Sequence, residues 1–316
     1  MLYKNSVKIL FSNFSLVWKS LIYFLSLFLV VVGLLVAILH PIYQLLTEAG
    51  FVSKLVEVYT DFLSSMDFNE LVGTFSHLWE RFMEIMNANL PQFWFAFIFV
   101  VIVLFVFSAI ASNMTIMANC NSLHYYMGSM NKHGFYSSYS ETFGKNLLLQ
   151  IVYFLVSLPL NCINLVLIVL GFKLFSSVWI LSIFSGFLIF LEIMLLHAFK
   201  FSLFSSWVPT MVVLNYGVFK SLRVAIKNTF RNFPRVFSGS IGVVFTIIII
   251  NIIFGLFSFM VGLLISVPAS FLLYSVYGMV VVYESQGMRY YVDVYNVISP
   301  QKRELTDKLT NMKYIV

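Results

Sequence analysis

Long apolar runs constrain this chain more than any other feature of its sequence. Six stretches contain almost no charged side chain, and each is long enough for a helix to cross the hydrocarbon of a bilayer, which takes roughly 20 residues, with some tilt in the longer ones. Only helices satisfy every backbone polar group within such segments. The pattern predicts an all-α, polytopic membrane protein whose six transmembrane helices form three hairpins. The predicted spans are residues 21–39, 93–118, 147–172, 178–205, 236–262 and 263–283.

Composition excludes most other classes of protein. Hydrophobic residues make up 60% of the 316 residues and charged residues 10%, whereas about 25% of the residues in a soluble domain are charged. A soluble enzyme and a disordered chain are therefore excluded, and two cysteines are too few for a disulfide framework. The sequence contains no motif of a hydrolase, a nucleotide-binding loop or a metalloprotease. It implies no cofactor and no metal, and it does not favour an enzyme.

The basic residues predict the orientation of the chain. Six spans would place sixteen of the 19 Lys and Arg residues on the side of the termini and three on the other side. Loops on the cytoplasmic side collect Lys and Arg. We therefore expect a multi-pass protein of the cell membrane with both termini in the cytoplasm, including a tail at 293–316. The apolar run at 236–283 is divided at Gly262, and a partly re-entrant arrangement remains an alternative there.

Residues 40–92, between the first two spans, hold more than half of the acidic residues. Apolar residues recur there every three or four positions, which predicts amphipathic helices on the outer side. Gly50 and Gly73 are expected breaks. This acidic loop is either a lid over the spans or an external site for cations or a partner.

The segment 216–235 has the strongest pattern outside the spans. Its cations recur every three or four residues and form one stripe on a helix, beside a stripe of apolar residues. Such a helix suits the headgroup layer, where it would contact anionic phospholipid rather than nucleic acid. A role in packing and orientation alone is the alternative. The headgroup candidates are Lys220, Arg223, Lys227, Arg231 and Arg235, and the apolar stripe is Phe219, Leu222, Ile226, Phe230 and Phe233.

Glu192 is the one acidic residue within the predicted spans. Carboxylates at such positions usually face a partner or a hydrated cavity. Glu192 could be the centre of a proton or cation relay with Asn161 and Asn164, or these side chains could hold helices together. Pro159 predicts a kink in the third span.

Two segments repeat one pattern. Residues 11–18 and 230–237 both read Phe-x-Asn-Phe-x-x-Val-aromatic, and each lies just before a predicted span. A weaker echo, Phe-Gly-Lys-Asn, occupies residues 143–146. The pattern suggests three units, each an interfacial segment followed by two spans.

The stretch from Phe201 to Asp293 carries a further set of residues: Trp207-Val-Pro209, Gly217-Val-Phe-Lys-Ser-Leu-Arg-Val-Ala-Ile226, Asn228, Phe230, Pro268 and Tyr277. It resembles a group of bacterial six-helix membrane proteins that includes the YciC-like proteins and the membrane domain of some glycerophosphodiester phosphodiesterases. The resemblance implies a six-helix integral protein without assigned chemistry. It covers under a third of the chain and does not imply the phosphodiesterase activity.

The sequence thus favours a non-catalytic membrane or envelope factor that contacts anionic lipid. The alternative is a small secondary transporter or lipid-moving protein that uses Glu192. Substrate, protein partners and oligomeric state are not indicated by any residue pattern.

Overall fold

The computed structural model describes residues 2–66 and 68–300. The described part of the chain is nearly all-α, with 86% of its residues helical, which confirms the predicted fold class. In the described residues, five helices are long and apolar enough to cross a membrane. There is a sixth crossing if the helices at residues 72–88 and 90–105, which are bent by 95° at the break between them, form one span.

The chain divides into two compact units, one at residues 25–108 and the other formed by the flanking segments. The N-terminal helices are α1 (Leu2–Ser12), α2 (Ser15–Glu48), α3 (Phe51–Ser65), α4 (Phe68–Ala88) and α5 (Leu90–Phe105), followed by a π-helical segment at Val106–Ala111. The helices that follow are α6 (Met114–Ser129), α7 (Phe135–Ser177), α8 (Trp179–Ile183), α9 (Ser185–Phe204), α10 (Trp207–Leu214), α11 (Val218–Arg231), α12 (Phe233–Phe257) and α13 (Leu263–Ser285).

The smaller unit contains α3 and α4, which pack against each other. Gly50, in the left-handed conformation, separates α2 from α3 as expected, and Met66 ends α3 in the same conformation. The predicted break at Gly73 is wrong, because α4 runs through this residue. A single glycine costs a helix about 1 kcal/mol, which its neighbours can offset. The ring of Phe82 lies on α4 and joins the helices, with its centroid 5.8 Å from that of Phe51.

Helix α13 lies at the centre of the larger unit. Its residues from Leu272 to Tyr283 are buried on almost every side, apart from the half-buried Tyr274. A helix that is apolar all round is typical of a core position. It contacts α1, α6, α10 and α12. The short helices α1, α6 and α10 therefore pack against α13 and are part of the folded core.

The prediction of one continuous span at 93–118 is wrong. The α-helix ends at Phe105, a π-helical segment follows, and the chain turns at Ser112 and Asn113 before α6 begins. Amide side chains of α7 hold this turn, because Gln150 Nε2 donates to the carbonyl of Asn113 (3.3 Å) and Asn146 Nδ2 donates to that of Met114 (2.6 Å). These partners lie more than 30 residues away, so the local pattern does not predict them.

The other predicted spans correspond to helices with different ends. The span at 21–39 lies within α2, and the span at 147–172 lies within α7, which continues through Pro159. The span at 178–205 is divided at Phe184 into α8 and α9. Helix α12 ends at Phe257, and α13 begins directly after Gly262, so both helices are long enough to cross a membrane singly.

The two repeated segments have the same local structure. In each, a short helix ends just before the asparagine of the pattern, at Asn13 or Asn232, and a long apolar helix starts one or two residues later. The valine of the pattern is buried in both copies, as Val17 and Val236. The weaker echo at 143–146 lies inside the continuous helix α7 and has no such break.

The predicted tail at 293–316 is described as far as residue 300. Strand β1 (Tyr290–Tyr291) pairs antiparallel with β2 (Val297–Ile298) in a short hairpin. Asn5 Nδ2 of α1 donates to the Tyr290 hydroxyl (2.9 Å), which joins this hairpin to the N-terminal helix. Residues 301–316 lie outside the described residues.

Candidate functional site

The predicted basic helix exists as α11, which is shorter than the predicted range of 216–235. It begins after Gly217 and ends at Arg231, and Asn232 separates it from α12. Its first turn is anchored by Trp207 of α10, which is fully buried. The indole Nε1 of Trp207 donates to the Val218 carbonyl (2.9 Å) and to Ser221 Oγ (3.1 Å). The start of α11 therefore has a fixed position on the folded core.

The face of α11 that packs against the protein consists of small residues. These buried residues are Val218, Ser221, Ala225 and Thr229, spaced three, four and four. The Thr229 hydroxyl donates to the Ser202 carbonyl of α9 (3.1 Å). The apolar pattern did not predict this face, because most of its residues are small or polar. The spacing of the small residues is the signal that could have revealed it.

The basic stripe lies on the opposite side of α11. Each cation comes two positions after one of the buried residues, which is about 200° around a helix. All of these side chains are exposed, and Phe219 and Phe230 beside them are 70% and 60% exposed. We call this surface the basic face, and it consists of Lys220, Arg223, Lys227 and Arg231.

The basic face carries positive charge that no acidic side chain among the described residues neutralises. In the part of the chain that the structure describes, none of its four cations forms an ion pair. Lys220 Nζ lies 3.8 Å from the centroid of the Tyr216 ring, which is a cation–π contact. These cations are therefore available to a ligand with negative charge.

Arg235, the fifth predicted headgroup candidate, has a different environment. It lies in the first turn of α12, and its guanidinium forms an ion pair with Glu284 of α13. The Glu284 side chain is only 5% exposed, and its Oε1 also accepts a hydrogen bond from the Tyr290 hydroxyl (2.9 Å). Arg235 therefore serves as the counter-charge of a buried carboxylate, a role that sequence analysis did not identify.

The three side chains of the predicted relay are not brought together. Glu192 of α9 packs against Gly171 of α7, where its carboxyl group fills the place of a β-carbon. Asn161 and Asn164 precede Gly171 on α7 by ten and seven residues, or about 15 and 10 Å along the axis. Asn161 Oδ1 instead accepts a hydrogen bond from Lys200 Nζ (2.6 Å).

Other polar groups within the long helices have structural partners. Asn251 Nδ2 of α12 donates to Ser270 Oγ (3.0 Å), and its Oδ1 accepts from Ser266 Oγ (2.7 Å), both on α13. Among the described residues, no group of three His, Cys, Asp or Glu side chains is placed to hold a metal ion. The basic face is the candidate site that the geometry supports best.

Comparison of this chain with family models, with curated proteins and with solved structures finds no significant match.

Proposed function

We propose that this chain is a multi-pass integral protein of the cell membrane that binds anionic phospholipid through α11, without catalysing a reaction. The observation that carries the proposal is the basic face, four exposed cations without an acidic partner among the described residues. A Lys or Arg near an anionic membrane surface contributes about 1 kcal/mol. Four such cations on one side of a short helix would favour anionic over zwitterionic lipid strongly.

The aromatic residues beside the basic face support the same arrangement. Phe219 and Phe230 project from one flank of α11 and are mostly exposed. A helix in the headgroup layer buries such rings at the boundary of the acyl chains while its cations meet phosphates. In water these rings would be exposed at a cost of about 25 cal/mol for each Å² of apolar surface.

The proposed topology has six crossings and both termini in the cytoplasm. The basic face would then lie on the cytoplasmic side, where anionic lipids attract Lys and Arg. Residues 40–92 would lie on the outer side. In this proposal the sixth crossing is α5 with the π-helical segment, of 16 and 6 residues, rather than the bent pair of α4 and α5. Together the two segments approach the length that a bilayer requires.

A transporter or lipid-moving protein that uses Glu192 has less support. Asn161 and Asn164 lie ten and seven residues along α7 from the Gly171 that Glu192 of α9 contacts, and Asn161 is bound to Lys200. We therefore favour the lipid-binding function.

The lipid proposal is tested with the full-length protein in nanodiscs that contain phosphatidylglycerol and phosphatidylcholine. Native mass spectrometry then measures the ratio of the two lipids that stay bound. Arg223→Gln with Lys227→Gln should lower the preference for phosphatidylglycerol by up to about thirtyfold, at about 1 kcal/mol per charge. The matched control is Lys132→Gln with Arg289→Gln, which removes two exposed charges outside α11. An unchanged ratio in the α11 variant, or an equal fall in the control, contradicts the proposal.

Cysteine labelling in intact cells tests the topology separately. In a Cys162→Ser background, Ser53→Cys should react with a membrane-impermeant maleimide, and Tyr295→Cys should react only after the cells are opened. Both positions are exposed, so access to the reagent depends on the side of the membrane. Reaction of Tyr295→Cys in intact cells contradicts the proposed orientation.

A further inference from the structure

A cavity of about 380 Å³ lies inside the larger unit, among α7, α9, α10 and α13, and it is partly open. Its volume is at the lower end of the range of about 300–1,000 Å³ that small-molecule sites occupy. None of the described residues that line it is acidic. It is separate from the basic face, because no residue of α11 lines it.

The basic side chains of the cavity wall come from one helix. His197 and Lys200 of α9 both line it, and residues three apart lie on the same side of a helix. Lys200 Nζ donates to Asn161 Oδ1 (2.6 Å), and it lies 5.8 Å from the centroid of the Tyr153 ring. An ammonium group has three donors, so Lys200 is oriented by Asn161 and keeps two donors for a ligand.

Aromatic rings form much of the wall. The Tyr153 ring lies 5.6 Å from that of Phe204 and 6.0 Å from that of Trp207. The rings of Phe201 and Tyr274 are 3.8 Å apart. These side chains offer a ligand a largely apolar surface.

One buried polar atom of the wall lacks a hydrogen-bond partner in the described part of the chain. Ser205, at the junction of α9 and α10, lines the cavity and is 7% exposed. Its Oγ makes no hydrogen bond among the described residues. Leaving such a group unsatisfied costs about 1–3 kcal/mol. A ligand with an oxygen atom at this point of the wall would satisfy it.

We propose that this cavity binds a single-chain anionic amphiphile. The anionic head, a carboxylate or a phosphate, contacts Lys200 and His197, and the acyl chain lies along Tyr153, Phe204 and Tyr274. Lys200 favours an anionic head, and none of the described residues that line the cavity is acidic, so none repels it. The apolar wall favours an acyl chain. The volume admits a head group and part of one chain, and it excludes a whole two-chain phospholipid. The inference does not depend on the lipid-binding function of α11.

The test uses diazirine-labelled probes and the full-length protein in neutral detergent. The probes are a palmitate and a palmitoyl lysophosphatidate, and the matched neutral probe is a monoacylglycerol with the same chain. After irradiation, mass spectrometry locates the crosslinked residues. We expect crosslinks from the anionic probes on α7, α9 and α13 at the cavity wall. A reaction of palmitate alone, or of lysophosphatidate alone, supports the proposal and identifies the head group.

Two variants test the contacts. Lys200→Gln should lower the crosslinking yield of the anionic probes about tenfold or more, because it removes a charge-assisted hydrogen bond. Lys145→Gln, which removes a cation that does not line the cavity, should leave the yield unchanged. Ile247→Trp should lower the yield of every probe by filling the cavity.

Three results would overturn the proposal: equal yields from the neutral probe, crosslinks outside the cavity, or an unchanged yield in Lys200→Gln. The α11 variant Arg223→Gln with Lys227→Gln should retain crosslinking, which separates this result from the test of α11.

Discussion

The carboxyl group of Glu192 on α9 occupies the space beside Gly171 on α7 that a β-carbon would fill. Its Oε2 is buried and makes no hydrogen bond among the described residues. The two helices can approach closely here only because residue 171 is a glycine. This relationship explains how an acidic side chain fits between two apolar helices, and it gives Glu192 a packing role.

Replacement of Glu192 by leucine should therefore not destabilise the protein. The change removes an unpaired buried oxygen, so we expect the free energy of unfolding to stay constant or rise by up to about 1 kcal/mol. Thermal unfolding in detergent measures this, with Glu192→Gln as the isosteric control. A loss of more than about 2 kcal/mol in Glu192→Leu would show that the carboxylate has a partner that stabilises the fold.

Gly278→Ala should lower the free energy of unfolding far more than Gly186→Ala does. A β-carbon at residue 278 would overlap the backbone of Ser205 and the ring of Pro209, whereas none of the described atoms lies within 4 Å of the same position at Gly186. Neither obstacle can rotate away, so α13 would have to move from the junction of α9 and α10. We expect a loss of about 1–3 kcal/mol in Gly278→Ala and no loss in the control. Equal melting temperatures would show that this junction is not tightly packed.

The ion pair between Arg235 and Glu284 should be important for stability. Arg235→Gln leaves the carboxylate of Glu284 buried without its counter-charge, at a cost of about 2 kcal/mol once the half-exposed arginine is allowed for. Arg231→Gln, four residues earlier and exposed, should change stability by less than about 0.5 kcal/mol. The double variant Arg235→Gln with Glu284→Gln should recover part of the loss, because it removes both charges. Additive losses in the double variant would argue against a direct pair.

His124 should make the stability of the protein depend on pH. Its ring Nδ1 lies 2.8 Å from the Tyr283 hydroxyl, and burial lowers the pKa of this histidine below its usual 6.5. The unfolded chain therefore binds a proton more readily than the folded one, so the stability that His124 contributes is present above pH 6.5 and is lost as the pH falls below that value.

Unfolding midpoints measured across this range test the effect of His124. The wild type should lose more stability between neutral and acidic pH than His124→Gln, which stays neutral throughout. His133→Gln is the control, because it removes a histidine whose ring Nε2 lies 3.3 Å from Glu141 Oε2, in a different environment. Parallel curves for the wild type and His124→Gln would rule out the titration of His124 as the cause.

The apolar runs were enough to predict the fold class, because a bilayer or a core requires helices wherever polar side chains are missing. The ends and breaks of helices were less predictable. The turn at Ser112 and Asn113 depends on Gln150 and Asn146, which lie far away in the sequence. Long-range hydrogen bonds of this kind leave no trace in a local pattern.

The candidate site was predicted in part. The spacing of the cations placed Lys220, Arg223, Lys227 and Arg231 on one side of a helix, and the structure shows that this side is exposed. The role of Arg235 was not predictable, since its partner Glu284 lies 49 residues away. The cavity beside Lys200 was also missed, because its walls come from helices that are separated in the sequence.

The depth of α11 in a bilayer tests the central claim most directly. Spin labels at Phe219→Cys and Phe230→Cys, in a Cys162→Ser background and in vesicles with phosphatidylglycerol, report contact with oxygen in the lipid or with a water-soluble relaxing agent. Leu165→Cys in α7 and Tyr295→Cys in the hairpin loop are the lipid and water references, and both positions are exposed. We predict that both α11 labels lie between the two references and close to the headgroup level. Labels on α11 that are as accessible to water as the label at residue 295 would contradict the account.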